Sequence, residues 1–172
     1  MITADRAIEI LKEEGCSEEV VDHSRAVSDK AVEISKKILE NGNDVDLTLV
    51  ELGGLIHDVG RSKTHNVSHG VAGADILRER GLDDLANFAE NHLGAGIDKE
   101  ESKELDIPEG RYLPKSLEEK IVTYADNLVD GSDYISFSEA MKELSEELGD
   151  KHSSLERFQE IHEELSELGG VE

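Results

Sequence analysis

The spacing of apolar residues along the chain predicts one helix after another. Apolar positions such as Val20, Val27 and Ile34 recur at helical intervals, which is the period of an amphipathic helix with one buried face. Glycines and serine or aspartate caps divide this pattern into segments. We therefore predict helices over residues 3–14, 18–40, 47–59, 69–80, 83–93, 116–130, 138–149 and 153–168.

Two segments lack the helical pattern. Residues 60–68 are rich in glycine, serine and asparagine, and residues 94–115 contain both prolines of the chain, Pro108 and Pro114. These compositions are typical of loops, and the second segment has room for one turn of helix. No segment shows the clean alternation of a strand. The prediction is an all-α fold with a core domain over 1–131 and a C-terminal helical extension over 132–172 packed on it.

The charge of the chain restricts its partners. The 172 residues include 18 basic and 41 acidic ones, so the formal net charge is −23. This argues against binding of a nucleic-acid polymer or an anionic membrane, because both need a broad basic face. A single cysteine excludes an intrachain disulfide and a cysteine-based zinc finger. No segment reads as a signal peptide or a membrane span, so we expect a cytoplasmic protein.

Histidine and aspartate residues occur at positions suited to a metal ion. His23 shares the apolar face of its helix, and the pair His57 and Asp58 ends an apolar helix just before a glycine. Asp126 lies at the edge of another apolar face. Imidazole and carboxylate groups suit a borderline or hard divalent cation. For each residue alone, a histidine bonded to a core carbonyl or a surface aspartate is an equally ordinary interpretation.

Taken in order, these residues resemble the H…HD…D signature of the HD-domain metal-dependent phosphohydrolases. The similarity covers about residues 18–130, and Gly60 and Arg61 after the pair also fit. The resemblance implies an all-α bundle. It also implies one or two divalent ions, drawn from Mn, Co, Ni, Mg, Zn or Fe. The implied ligands are His23, His57, Asp58 and Asp126.

Two further histidines bear on the number of metal ions. Family members with two metals place extra histidines where this chain has His69 and His92, with the signature aspartate bridging the ions. Alternatively, these histidines contact phosphate or surround a single metal. Leu93 stands where many two-metal members have histidine, which disfavours a cyclic-dinucleotide phosphodiesterase. Val59 and Gly60 replace the Glu-Asp of guanosine tetraphosphate hydrolases, which disfavours that activity as well.

The surroundings of the His-Asp pair favour an anionic substrate. Residues 59–74 contain no Asp or Glu and form the longest such run in the chain, and they include Arg61 and Lys63. A phosphate group would find there a metal, an arginine and a lysine. We therefore predict hydrolysis of a small phosphoester by metal-activated water. The substrate is a nucleotide, another phosphomonoester or a small phosphodiester. Asp58 acts as ligand, and Arg61 and Lys63 stabilise phosphoryl charge. The general acid is left open between His65 and His69.

Two other functions fit the same residues. One is a regulatory HD domain that binds a nucleotide without turnover, and the other is a di-iron HD-type oxygenase. The C-terminal helix carries apolar residues at Leu155, Phe158 and Leu165. These side chains can pack on the same chain or on a second copy, so a homodimer is a hypothesis at this point.

Overall fold

The computed structural model describes all 172 residues and is mainly helical, with only one small two-stranded sheet, which confirms the all-α prediction. The elements in chain order are α1 (Ala4–Glu14), α2 (Glu18–Glu40), α3 (Leu47–Ile56), a 3₁₀ helix (Val59–Ser62), α4 (His69–Glu79), α5 (Asp83–Asn91), α6 (Lys99–Glu104), α7 (Leu117–Asn127), β1 (Val129–Asp130), β2 (Asp133–Tyr134), α8 (Phe137–Leu148) and α9 (Ser153–Glu167). None of the helices combines the length and the apolar composition needed to span a bilayer.

Short polar side chains fix the helix starts. Ser17, Asp46 and Ser116 accept hydrogen bonds from backbone amides in the first turns of α2, α3 and α7, and each bond satisfies an amide that has no partner within the helix. A capping box between Asp98 and Glu101 starts α6 inside the segment expected to be mainly loop. The antiparallel β1–β2 hairpin is also an addition to the prediction.

Helix α3 ends three residues earlier than predicted because the chain must approach α4 closely. It stops at Ile56, and the 3₁₀ helix follows after Asp58. A Cβ atom on Gly60 would collide with the backbone carbonyl of His69 and lie 2.5 Å from the backbone nitrogen of Gly73. Only glycine allows this contact between two backbones. The approach brings Asp58 next to the start of α4.

The bundle has one hydrophobic core. Helix α2 packs along α3 and α7, and α4 packs against α5. The core comprises 34 buried residues. Its largest fully buried side chains include Leu52, Ile56, Leu77 and Tyr124. The polar ends of these packed helices meet at one place, which positions the site described below.

The C-terminal segment contributes to the same core. Phe158 and Leu165 of α9 are fully buried within this chain, together with Ala140 and Leu144 of α8. Arg157 ties α9 to the body through the carboxylate of Glu101, with 2.8 Å between Nη2 and Oε2. These apolar side chains therefore pack on their own chain. The division of the chain after residue 131, and the homodimer, stay predictions.

Candidate metal centre

Six side chains from five helices and their ends converge at one place in the bundle. They are His23 of α2, His57 and Asp58 after α3, His69 at the start of α4, His92 after α5 and Asp126 of α7. Donor atoms of His23, His57 and Asp126 lie within 4.8 Å of one another, and so do those of His57, Asp58 and His92. The sequence predicts four of them, His23, His57, Asp58 and Asp126, as metal ligands, and His69 and His92 as contacts of a second metal or of phosphate. Their assignment as ligands stays a prediction.

Each of the four histidines uses one ring nitrogen to hold its orientation. The four Nδ1 atoms contact backbone carbonyl oxygens, which can only accept hydrogen bonds. The distances are 2.7 Å from His23 to Gly131, 2.7 Å from His57 to Gly54, 2.8 Å from His69 to Asn66 and 2.9 Å from His92 to Ala89. In the neutral rings Nδ1 therefore carries the proton, and each Nε2 keeps a free lone pair. This arrangement is typical of metal-binding histidines.

The carboxylate of Asp58 lies between two groups of histidines. Its Oδ1 is 3.0 Å from Nε2 of His69 and 3.3 Å from Nε2 of His92. Its Oδ2 is 3.8 Å from Nε2 of both His23 and His57. On the second side, Oδ1 of Asp126 is 3.0 Å from Nε2 of His23 and 3.4 Å from Nε2 of His57. One carboxylate thus faces both groups through different oxygens.

Several of these polar atoms have no adequate partner within the protein. Nε2 of His57 and Oδ1 of Asp58 are buried without a hydrogen bond, although burial of such groups unpaired is costly. The Nε2 atoms of His69 and His92 are 3.2 Å apart, and two lone pairs at that distance repel each other. A divalent cation would accept all of these lone pairs. The donor set therefore fits a divalent metal.

The ionised carboxylates of the cluster also favour a bound cation. Burial lowers the pKa of His57, but the carboxylates of Asp58 and Asp126 outweigh this effect and raise the pKa to about 9. Burial opposes ionisation of Asp58, yet its contacts with His57, His69 and His92 hold the pKa of the carboxyl well below its usual range. The pKa of Asp126 is lowered as well. The buried carboxylate of Asp58 and the half-buried one of Asp126 therefore remain ionised, which favours a cation beside them.

A pocket of about 240 Å³ connects this cluster to solvent. Its lining comprises Ser17, Glu19, Val20, His23, Asp58, Arg61 and His65. Arg61 donates from Nε to Oδ2 of Asp58 at 3.0 Å and from Nη1 to the backbone carbonyl of His65 at 3.3 Å. Nη2 has no partner within the chain and is available to an anion.

Lys63 does not join this pocket. Its Nζ lies 3.5 Å from the carboxylate of Glu14, and its side chain is 55% exposed. Lys63 was predicted to stabilise phosphoryl charge, but its side chain lies outside the pocket because the chain at the end of the 3₁₀ helix directs it toward α1. Glu19 lines the pocket instead, one helical turn before His23. The sequence could have indicated Glu19 through this spacing, because residues four apart lie on the same face of a helix.

A second cavity of about 270 Å³ lies between α6 and α8 and contains none of the clustered ligands. Glu101, Glu104 and Glu147 are among its lining residues. Three carboxyl groups disfavour an anionic ligand in that cavity. A phosphate group is therefore expected at the histidine cluster, where Arg61 supplies the positive charge.

The chain is similar to known proteins over nearly its whole length. The family model described as HD domain matches residues 20–129. An uncharacterized protein of Methanocaldococcus jannaschii is 48% identical over 165 residues, covering 95% of this chain and 97% of the relative. Two tRNA (cytidine(56)-2'-O)-methyltransferases are also similar. The one from Picrophilus torridus is 36% identical over 167 residues and the one from Thermoplasma volcanium 35% over 164. The match covers 96% and 95% of this chain, but only 47% and 46% of those two enzymes.

Solved structures share the fold. The crystal structure of the HD domain of the L. monocytogenes phosphodiesterase PgpH superposes with a TM-score of 0.54 at 18% identity, covering 95% of this chain and 97% of that domain. The same domain in complex with cyclic-di-AMP gives a TM-score of 0.55 at 18% identity and covers 96% of both chains. At this identity the likeness shows the fold alone.

Proposed function

Because this chain belongs to the HD domain family, we propose that it is a metal-dependent hydrolase of a small phosphoester. One observation carries the proposal. Four oriented histidine Nε2 atoms and two ionised carboxylates, one of them with a buried and unpaired oxygen, adjoin an open pocket that also contains an arginine. This combination offers a cation site and an anion site side by side, which is what metal-assisted phosphoester hydrolysis requires.

The two oxygens of Asp58 support a centre with two ions. His23, His57 and Asp126 would hold one ion with Oδ2 of Asp58, and His69 and His92 would hold the other with Oδ1. Such ions lower the pKa of bound water toward neutrality and polarise phosphoryl oxygens. The Nδ1 hydrogen bonds to backbone carbonyls keep the four rings in place before any ion binds.

Arg61 would bind and orient the phosphate. Its Nε is fixed by Asp58, and its Nη1 by the carbonyl of His65, so the guanidinium plane is set while Nη2 stays free. A guanidinium held in this way binds phosphate with defined geometry. It would stabilise the additional negative charge on the phosphoryl oxygens as the reaction proceeds.

The size and charge of the protein indicate the class of substrate. A pocket of about 240 Å³ accommodates a small phosphoester, and the net charge of −23 opposes binding of a nucleic-acid polymer. The similarity to half of two tRNA methyltransferases supports placing ribonucleotides, with and without 2'-O-methyl groups, in a substrate panel. Cyclic-di-AMP belongs in the same panel, because a domain of the same fold binds it.

The experiment that tests the proposal is a phosphate-release screen on protein of known metal content. The chain is stripped with a chelator and reloaded with Mn, Co, Ni, Mg, Zn or Fe. It is then assayed with nucleoside monophosphates, sugar phosphates and cyclic dinucleotides. We expect turnover with at least one ion, loss of turnover in Asp58→Asn, and retention in Asp75→Asn. Asp75 is a suitable control because its side chain is 66% exposed on α4.

The other outcomes separate the alternative functions. Oxygen-dependent turnover with two irons per chain would replace the hydrolase with an oxygenase. Binding of a nucleotide without release of phosphate under every metal would replace it with a regulatory domain. Equal activity of Asp58→Asn and the wild type would contradict the proposed site.

A further inference from the structure

Hydrolysis of an alkyl phosphoester needs a proton donor for the leaving oxygen, and the structure excludes one of the two histidines considered for this role. His69 is only 2% exposed. Its Nδ1 contacts the carbonyl of Asn66 at 2.8 Å, and its Nε2 lies 3.0 Å from Oδ1 of Asp58. Both nitrogens are committed inside the cluster. His69 therefore cannot reach a leaving group in the pocket.

His65, unlike His69, is exposed and has free ring nitrogens. It is an exposed residue that lines the pocket together with His23, Asp58 and Arg61. Only its backbone carbonyl takes part in a hydrogen bond within the chain, so both ring nitrogens are available to a substrate. Imidazole is the side chain whose ordinary pKa lies closest to neutrality, which suits proton transfer at physiological pH.

The backbone carbonyls of His65 and of the residue after it are tied to the metal centre. Arg61, itself held by Asp58, donates from Nη1 to the carbonyl of His65. The carbonyl of the next residue, Asn66, contacts the backbone nitrogen of His69 at 3.0 Å and Nδ1 of His69 at 2.8 Å. The amide of Ser68 donates to Oδ1 of Asn66 at 2.9 Å. His65 is thus positioned by the same residues that form the cluster.

The other charged groups around the pocket do not serve as this donor. His23 is committed to the carbonyl of Gly131 and to Asp126. Arg61 stays protonated through any reaction of this kind, and Lys63 lies beside Glu14. Glu19 from α2 and Asp58 are the two carboxyl groups facing the pocket.

We propose that His65 is the general acid of the reaction, a role that rests on the hydrolase function proposed above. The oxygen of the attacking water forms a new bond to phosphorus, and this water releases one of its protons to solvent. The bond from phosphorus to the leaving oxygen breaks with its electron pair on that oxygen, which takes the proton of the His65 imidazolium and departs as an alcohol. The neutral imidazole regains a proton from solvent, so one water is consumed for each ester.

The test compares two aryl esters that differ in their need for a proton. p-Nitrophenolate is stabilised by its nitro group and leaves unprotonated, whereas phenolate is much more basic. For His65→Asn in the metal-loaded full chain, we expect kcat for phenyl phosphate to fall about 100-fold or more, and kcat for p-nitrophenyl phosphate to change little. His152→Asn is the matched control, because His152 is outside this pocket and asparagine can also cap α9. Metal content and thermal unfolding are measured for each variant.

The outcomes distinguish this inference from the proposed function. If the wild type cleaves both esters and His65→Asn lowers both rates equally or neither, His65 is not the general acid while the hydrolase function stands. If the wild type cleaves no phosphoester with any metal, both the hydrolase function and the role of His65 are contradicted. A loss confined to phenyl phosphate, with unchanged metal content, supports the assignment.

Discussion

The thermal stability of the chain should depend on divalent metal through Asp58. This carboxylate has oxygens at 3.0 and 3.3 Å from Nε2 of His69 and His92, and at 3.8 Å from Nε2 of His23 and His57. Replacing Asp58 with asparagine keeps the volume of the side chain and removes the shared anionic ligand. We therefore expect the Asp58→Asn variant to fold and to lose stabilisation by metal.

The size of the effect follows from binding to the folded state. At a free metal concentration 100 times the dissociation constant, binding stabilises the folded chain by about 2.7 kcal/mol. For a chain of this length, 1 kcal/mol corresponds to a shift in Tm of roughly 2–4 °C. The wild type should therefore gain roughly 5–11 °C on addition of metal, and Asp58→Asn should gain almost nothing.

Far-ultraviolet circular dichroism is the suitable assay, because the chain is helical and contains no tryptophan. Melting curves are recorded with and without metal, at a concentration fixed from a calorimetric dissociation constant. Asp75→Asn should keep the full shift, because its exposed side chain lies outside the cluster. A full metal-induced shift in Asp58→Asn would show that this carboxylate does not hold the metal.

Three further predictions follow from the same geometry. Although burial lowers the pKa of His57, neighbouring carboxylates raise it to about 9, so metal must displace a proton. The affinity for the metal should rise between pH 6 and pH 8. Calorimetry in buffers of different protonation enthalpy should detect the released proton, and its absence would count against the cluster as the metal site. Gly60→Ala should lower the free energy of unfolding by about 1–3 kcal/mol because its methyl group meets the backbone of α4; an unchanged urea midpoint would contradict this contact. Glu19→Gln should lower KM for a phosphoester roughly fivefold, since one charge near the phosphate is worth about 1 kcal/mol in water; an unchanged KM would show that Glu19 does not face the substrate.

The local elements of the fold could be predicted from the sequence because their signals are local. Ser17, Asp46 and Ser116 cap helices that begin within one residue of the predicted positions. The early end of α3 could not be predicted, because it depends on a contact between Gly60 and His69 that only the packed structure contains. The hairpin of two-residue strands is too short to produce an alternating pattern.

The candidate site, like the fold, could be predicted from the sequence only in part. The order of histidines and aspartates identified four of the six residues that the structure brings together, since the resemblance to the HD family depends on that order. The other two, His69 and His92, were indicated by the resemblance to family members with two metals. The carbonyl groups that orient the rings belong to residues without a side-chain signal, and one of them, Gly131, is 108 positions from His23. The directions of Lys63, toward Glu14, and of His65, into the pocket, depend on how the loop is folded.

The most direct test of the metal centre is a crystal structure of the manganese-loaded protein with anomalous diffraction data. We expect two anomalous peaks within the cluster, one bound by Nε2 of His23 and His57 and one by Nε2 of His69 and His92, with Asp58 between them. A single peak at the first position would reduce the centre to one ion. The absence of any peak among these residues, with metal bound elsewhere on the chain, would contradict the central claim.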